Sequence, residues 1–144
     1  ANGSRGACTL RAPVSRIWEL ERLVPTGRIL LAEPARDLSQ GVTLGDQEFD
    51  DVYTGLREGV DDSGWSRSSY ADPAAGVEIA VLADRNFREL VVYAPKSRPV
   101  VCLEPYTCAP NAFNLASRGI DGGMTVVEPG GTWSARVVYE ARGL

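Results

Sequence analysis

Short runs of alternating apolar and polar residues, cut by Gly, Pro, Asp and Asn, fill most of this chain. Residues 7–12 (ACTLRA) and 16–22 (RIWELER) carry the two-residue period of half-buried strands, the second setting Ile17, Trp18 and Leu20 against charges. The stretch LVPTGRIL then turns at Pro25-Thr26-Gly27, where Pro and Gly suit a tight turn. In 48–56 (EFDDVYTGL), the spacing of Phe49, Val52, Tyr53 and Leu56 fits either a helical turn or the start of a strand. Residues 59–76 are polar and rich in Gly, Ser and Asp, and read mostly as a hairpin or loop whose Trp65 and Tyr70 pack over another surface. Three runs rich in β-branched residues follow: VEIAVLAD (77–84), FRELVVYA (87–94) and RPVVCLEP (98–105). They read as strands, the first two joined by a tight turn at Asp84-Arg85-Asn86. The segment 130–141 alternates Trp133, Ala135, Val137 and Tyr139 after a Pro129-Gly130-Gly131 turn. Roughly seven or more short strands, and no stretch with the period of a full helix, predict an all-β sandwich in one domain without repeat or linker.

Composition narrows the function. The chain has 144 residues, 44% of them hydrophobic and 24% charged, enough for one real core. A net charge of −4, with basic residues interleaved among acids, argues against a nucleic-acid partner, which needs a basic face. No apolar run approaches the roughly 18 residues that cross a bilayer, so no membrane partner is expected. The N-terminal ANGSRGACTL lacks a signal-peptide core; with Asn2, Gly3, Ser4 and Gly6 it reads as a loop interrupted partway. Cys8, Cys102 and Cys108 are odd in number and follow no metal-binding spacing, which fits reduced thiols in a cytoplasmic protein and no metal site. The chain contains no His, so no imidazole serves catalysis or metal binding.

Carboxylates are the remaining candidates. Asp46 and Glu48 read as a solvated turn, whereas Phe49, Val52 and Tyr53 flank Asp50 and Asp51, so one of the two is expected to point inward beside aromatic surface. Glu104 follows Val100, Val101, Cys102 and Leu103. At the end of a buried strand, desolvation would disfavour its charged form and suit it to a general base. A structural glutamate paired with Arg98 or Arg118 is the alternative. Tyr106 and Trp133 offer flat apolar faces on which a sugar ring stacks, or equally core packing. An Arg-rich face at Arg85, Arg88 and Arg98 suits either an anionic sugar or plain solvation.

Together these motifs resemble one family. VCLEPYTCAPNAFNL (101–115) resembles the catalytic-glutamate segment of aldose 1-epimerases, the galactose mutarotases. EFDDVYTGL resembles the family's Asp-bearing segment, ERLVPTGRIL (21–30) its Leu-x-Pro-Thr-Gly turn, and VVEPGGTWSARVVYE (126–140) its closing hairpin and last strand. The resemblance covers nearly the whole chain, and the glutamate segment is its specific part. It implies a β-sandwich of the galactose mutarotase-like, supersandwich type, with residues 1–144 forming its C-terminal half. It also implies interconversion of the α and β anomers of free hexoses such as galactose or glucose, with no cofactor and no metal. Carried over by motif, Glu104 would be the base at the C1 hydroxyl and Asp50 would grip sugar hydroxyls, with Asp51 in its place if the register slips by one. Tyr106 and Asn111 would shape the pocket.

The chain departs from the family in lacking the histidines that serve as general acid and second sugar contact. In the family the acid lies earlier, in a His-Pro-Tyr-Phe type segment. A second polypeptide carrying the N-terminal half is therefore the expected partner, and the chain alone should expose apolar surface and open strand edges. A non-catalytic carbohydrate-binding module of the same fold is the alternative, followed by a purely structural or protein-binding sandwich.

Overall fold

β-Branched and aromatic residues at alternate positions build ten strands among residues 5–144, which the computed structural model describes; the loop read at Asn2, Gly3 and Ser4 lies outside the described residues. The strands are β1 (Thr9–Arg11), β2 (Arg16–Glu21), β3 (Val24–Leu31), β4 (Val42–Thr43), β5 (Phe49–Thr54), β6 (Ser66–Asp72), β7 (Val77–Ala83), β8 (Glu89–Ala94), β9 (Cys102–Tyr106) and β10 (Val137–Gly143). One short helix, α1 (Ala112–Ser117), lies between β9 and β10. All ladders are antiparallel, in a back sheet ordered β10-β7-β6-β1-β4 and a front sheet ordered β3-β2-β5-β8-β9. The all-β sandwich read from the sequence is what forms. Among the described residues no helix is long and apolar enough to cross a membrane.

Both faces of the front sheet carry apolar clusters. On the inner face, Phe49, Tyr53, Leu90, Val92 and Ala94 pack against Leu10, Val42 and Ala83 of the back sheet. On the outer face, Trp18 and Val52 are covered by Ala109 and Leu115, with Leu20, Val91 and Ile120 at the margin. A helix as short as α1 is not stable by itself; Leu115, fully buried against Trp18 and Val52, is what seats it. The cover reaches only one end of the outer face and leaves the rest open.

Four sequence expectations change or narrow. The turn between β2 and β3 is Arg22-Leu23, both at positive φ (49° and 66°), not Pro25-Thr26-Gly27. β3 runs straight through the Pro-Thr-Gly stretch. Its register against β2 jumps from Leu20↔Pro25 to Trp18↔Ile29, so Thr26, Gly27 and Arg28 form a bulge. Polar contacts hold the bulge out: Thr26 Oγ1 and Arg28 Nη1 donate to the Glu19 carboxylate at 2.8 and 2.9 Å, and Arg118 Nη2 donates to the Thr26 carbonyl at 2.6 Å. Second, 59–76 resolves toward the hairpin rather than the loop: β6 pairs with β7 across a turn and with β1 on its other side, burying Ser66 and Ser68. Third, the VVCL run is not a buried strand. β9 begins at Cys102 on the edge of the front sheet, and its residues are half-buried. Fourth, Trp133 and Ala135 precede β10 rather than lying in it, and Trp133 is exposed. Apolar side chains do crowd the surface, as expected: Val24, Ile29, Leu30 and Leu31 stand exposed on β3, an open edge of the front sheet, with Leu23 exposed in the turn before it.

Candidate functional site

Register decides which side chains meet, because residues directly opposite in an antiparallel pair share a face. Three rungs cross β5, β8 and β9 on the outer face of the front sheet: Asp50–Tyr93–Cys102, Val52–Val91–Glu104 and Thr54–Glu89–Tyr106. Asp50, Glu104 and Tyr106 therefore project from one surface. Asp50 and Glu104 are separated by two strand spacings, about 10 Å, and by one same-face step, about 7 Å. Asp50 is exposed, Glu104 is half-buried, and Tyr106 stands at the edge. The Tyr106 hydroxyl donates to Glu104 Oε2 at 3.0 Å. Partial burial and then the Glu104 charge push the Tyr106 phenol up from its ordinary value, so it stays a donor.

The same alternation turns Asp51 the other way. It lies on the inner face with Phe49 and Tyr53 and takes a salt bridge from Arg36 at 2.8 Å. Arg36 also stacks over the Phe49 ring, 4.3 Å from its centroid, and accepts the Tyr53 hydroxyl at its carbonyl at 2.9 Å. Burial raises the Asp51 carboxyl, and Arg36 partly offsets the rise. Asp51 is thus the acid beside aromatic surface, and Asp50 is the one on the face of Glu104. Neither arginine considered as a partner of Glu104 reaches it: Arg98 Nη2 donates to the Tyr93 hydroxyl at 2.9 Å, and Arg118 goes to the bulge.

Asn111 is not drawn into this group. It opens α1 in the left-handed conformation, φ 65°, and its side-chain oxygen accepts from Asn114 Nδ2. It sits on the loop that follows β9, half-buried.

Sequence reasoning missed Glu89. This residue is wholly buried on the outer face, in the same rung as Tyr106. Trp18 Nε1 donates to its Oε2 at 3.2 Å. Arg88 Nε stands 2.9 Å from Oε1, an ion-pair distance, but out of line, so Oε1 accepts no hydrogen bond. Burial raises the Glu89 carboxyl, while hydrogen bonds from Thr54 and Trp18 and the Arg88 charge oppose the rise. Arg88 reaches onward to Asp121, with Nη1 on the carboxylate at 2.7 Å and Nη2 on the carbonyl at 2.8 Å, and its backbone N–H donates to the Tyr106 carbonyl at 2.9 Å. One residue thereby holds both ends of the segment that follows Glu104. The signal in the sequence was the unbroken run Leu90-Val91-Val92, which marks a strand covered on both faces and therefore a glutamate without access to water.

Beside the ladder, a cavity of about 860 Å³ opens between the sheets along β9, lined by Lys96, Arg98, Val101, Leu103, Glu104 and Tyr139 among others. Among the described residues no cluster of Asp, Glu and Cys is arranged to hold a metal ion.

Residues 6–140 match the aldose 1-epimerase family. The fold also superposes on a solved structure of a galactose mutarotase-like protein from Clostridium acetobutylicum, with a TM-score of 0.80 at 17% identity. The match covers 99% of this chain and 44% of that protein, so the chain spans less than half of its relative's length.

Proposed function

The chain belongs to the aldose 1-epimerase family, and from that premise we propose that it supplies the glutamate side of a site that interconverts the α and β anomers of a hexose such as galactose or glucose. Glu104 takes the proton of the C1 hydroxyl, the bond from C1 to the ring oxygen breaks, and the ring oxygen receives a proton from a general acid. Rotation about C1–C2 in the open aldehyde and reclosure give the other anomer. The observation that carries this reading is the ladder that sets Asp50 and Glu104 on one face of the front sheet. Asp50 accepts hydrogen bonds from sugar hydroxyls across a gap of monosaccharide size. Tyr106 occupies Oε2 of Glu104 and so directs the other oxygen to the substrate.

The acid is a histidine from outside these 144 residues, which contain none. Residues 1–144 then form one half of the sandwich, and a second polypeptide carrying the other half covers surface such as the exposed apolar edge at β3. In the protein carrying both halves, Glu104→Gln is expected to lower anomer exchange, followed by polarimetry or NMR, by about 10²–10⁴-fold, the usual contribution of a positioned general base. Sugar binding in calorimetry should persist, because the amide keeps the shape and loses the basicity. Exchange that survives the substitution rules Glu104 out as the base.

The absence of histidine favours a second reading, a carbohydrate-binding module of the same fold without catalysis. It predicts hexose binding without any change in the rate of anomer exchange. A native mass measurement separates the starting points: a second polypeptide beside the 15.5 kDa chain supports the two-piece enzyme.

A further inference from the structure

Of the arginines that pair with a carboxylate among the described residues, Arg88 is the most enclosed. Its side chain is 15% exposed, against 30–71% for the others. Exposed ion pairs fix little geometry, whereas an enclosed guanidinium with several partners is held to one position. The main chain of Arg88 joins the strands that carry the two acids of the site. Its N–H donates to the Tyr106 carbonyl at the end of β9, at 2.9 Å. Its carbonyl accepts from the N–H groups of Gly55 and Leu56, just past the end of β5, at 3.2 and 2.9 Å. The side chain fastens the far end of the loop that leaves β9. Nε stands against buried Glu89, Nη1 meets Asp121 Oδ1 at 2.7 Å, and Nη2 donates to the Asp121 carbonyl at 2.8 Å. The same Oδ1 accepts from the Gly123 N–H at 2.9 Å. Gly123 fits there because it has no side chain. A Cβ on it would stand 2.7 Å from Arg88 Cδ and 3.3 Å from the Thr107 carbonyl oxygen. At Gly123 the chain thus lies against both Arg88 and the residue that follows Tyr106, and the Ala109 N–H closes the loop onto the Gly122 carbonyl at 2.7 Å. Tyr106 is the last residue of an edge strand, so its ring stays in place only if the chain after it does. That ring carries the hydroxyl that occupies Glu104 Oε2.

We propose that Arg88 is a positioning residue for anomer exchange: by clamping the loop 107–123 it holds Tyr106 on Glu104 and so fixes which carboxylate oxygen meets the sugar. The proposal rests on the reading of this face as a sugar site with Glu104 as its base. Arg88 touches neither Glu104 nor the sugar, and its whole effect on the reaction passes through the Tyr106 hydroxyl.

The test is polarimetry on freshly dissolved α-glucose with the protein carrying both halves, as parent, Arg88→Gln, Tyr106→Phe and the double variant, each with its urea midpoint. Arg88→Gln should lower kcat about 10–100-fold and leave KM within about twofold, since the base is displaced and the sugar contacts are not. In the Tyr106→Phe background the same change should cost less than about threefold more, because the hydroxyl it acts through is already gone. The loss of urea midpoint should be equal in both backgrounds, which separates the effect on rate from the effect on folding. Arg88→Lys should recover part of kcat, since it keeps the charge and loses the fork. If Arg88→Gln does not fold, Asp121→Ala carries the comparison. It cuts the clamp at a side chain that is 82% exposed, and a several-fold loss of kcat with the same dependence on Tyr106 is expected. Suppose instead that Glu104→Gln lowers exchange while the Arg88 and Asp121 variants keep the parent kcat, or lose the same factor with and without the Tyr106 hydroxyl. Either result overturns the inference and leaves the sugar site standing. If the parent shows no exchange, or Glu104→Gln exchanges at the parent rate, the reading of the site falls and the inference falls with it.

Discussion

Gly27 carries the strongest structural demand in the Leu-x-Pro-Thr-Gly stretch. Its φ is +104°, and a Cβ built there would stand 2.5 Å from Ile120 Cδ1 and 3.2 Å from Arg118 Nη2. Alanine at this position meets two separate costs. Backbone strain for an L-residue at positive φ is about 1–2 kcal/mol. Crowding against Ile120 adds about 1–3 kcal/mol, toward the lower end because the side chain can shift. Gly27→Ala should therefore destabilise by roughly 2–4 kcal/mol, which for a chain of this size lowers Tm by roughly 10 °C. Urea unfolding followed by tryptophan fluorescence is a suitable assay, since Trp18 is buried under α1 and its neighbours. Ile120→Ala in the same background removes the crowding and leaves the strain. The double variant should then be more stable than the sum of the single effects by about 1 kcal/mol or more. A Gly27→Ala protein within about 0.5 kcal/mol of the parent, or strict additivity with Ile120→Ala, would refute the picture of a bulge that makes room for Ile120.

Two further perturbations test the support of the site. Burial raises the Glu89 carboxyl in the folded chain, so the folded state keeps its proton to higher pH than the unfolded chain, which releases it near about 4.3. Its contribution is then fully present below that value and is lost as pH rises through the raised one. Glu89→Gln should flatten the corresponding decline in Tm as pH rises above the ordinary carboxylate range, and parallel profiles for the two proteins would remove Glu89 as its source. Leu115→Ala empties a fully buried position beneath α1 and should cost about 2–5 kcal/mol; a urea midpoint unchanged from the parent would mean that α1 is not seated through this residue.

The architecture was legible where burial follows a simple period. In β7 and β8, β-branched and aliphatic residues occupy both sides of most of the strand, so the runs 79–83 and 90–92 read directly as strand. Sequence patterning failed where local chemistry imitates another element. Arg22 and Leu23 carry no mark of a turn, since neither is Gly, Asn or Asp, yet the two-residue link between β2 and β3 imposes positive φ on both. Pro25-Thr26-Gly27 has the composition of a turn because a bulge makes similar demands on the backbone. Ser66 and Ser68 lie in a polar, Ser-rich stretch, yet both are buried on β6. At the site, alternation along Phe49-Asp50-Asp51-Val52 showed that the two acids diverge without showing which one faces Glu104; only the pairing of β5 with β8 and of β8 with β9 distinguishes them. Glu89 escaped notice because a glutamate beside an arginine has the look of an exposed pair.

The order of strands also sets a timetable. β2 and β3 are joined by a two-residue link, and such hairpins form in about 1–10 μs once both strands are available. β1 has no such neighbour. Until β6 arrives, about 55 residues later in the chain, its pairing is limited to the two-residue ladder with β4. At the roughly 5–20 residues per second of synthesis, that interval lasts on the order of 3–11 s, far longer than any hairpin needs. The front sheet can begin to assemble as the chain emerges, whereas the back sheet must wait for β6 and β7. For several seconds Leu10 of β1 and the inner face of β5 lack the rest of the layer that closes over them, and that is when the nascent chain most needs protection from other chains.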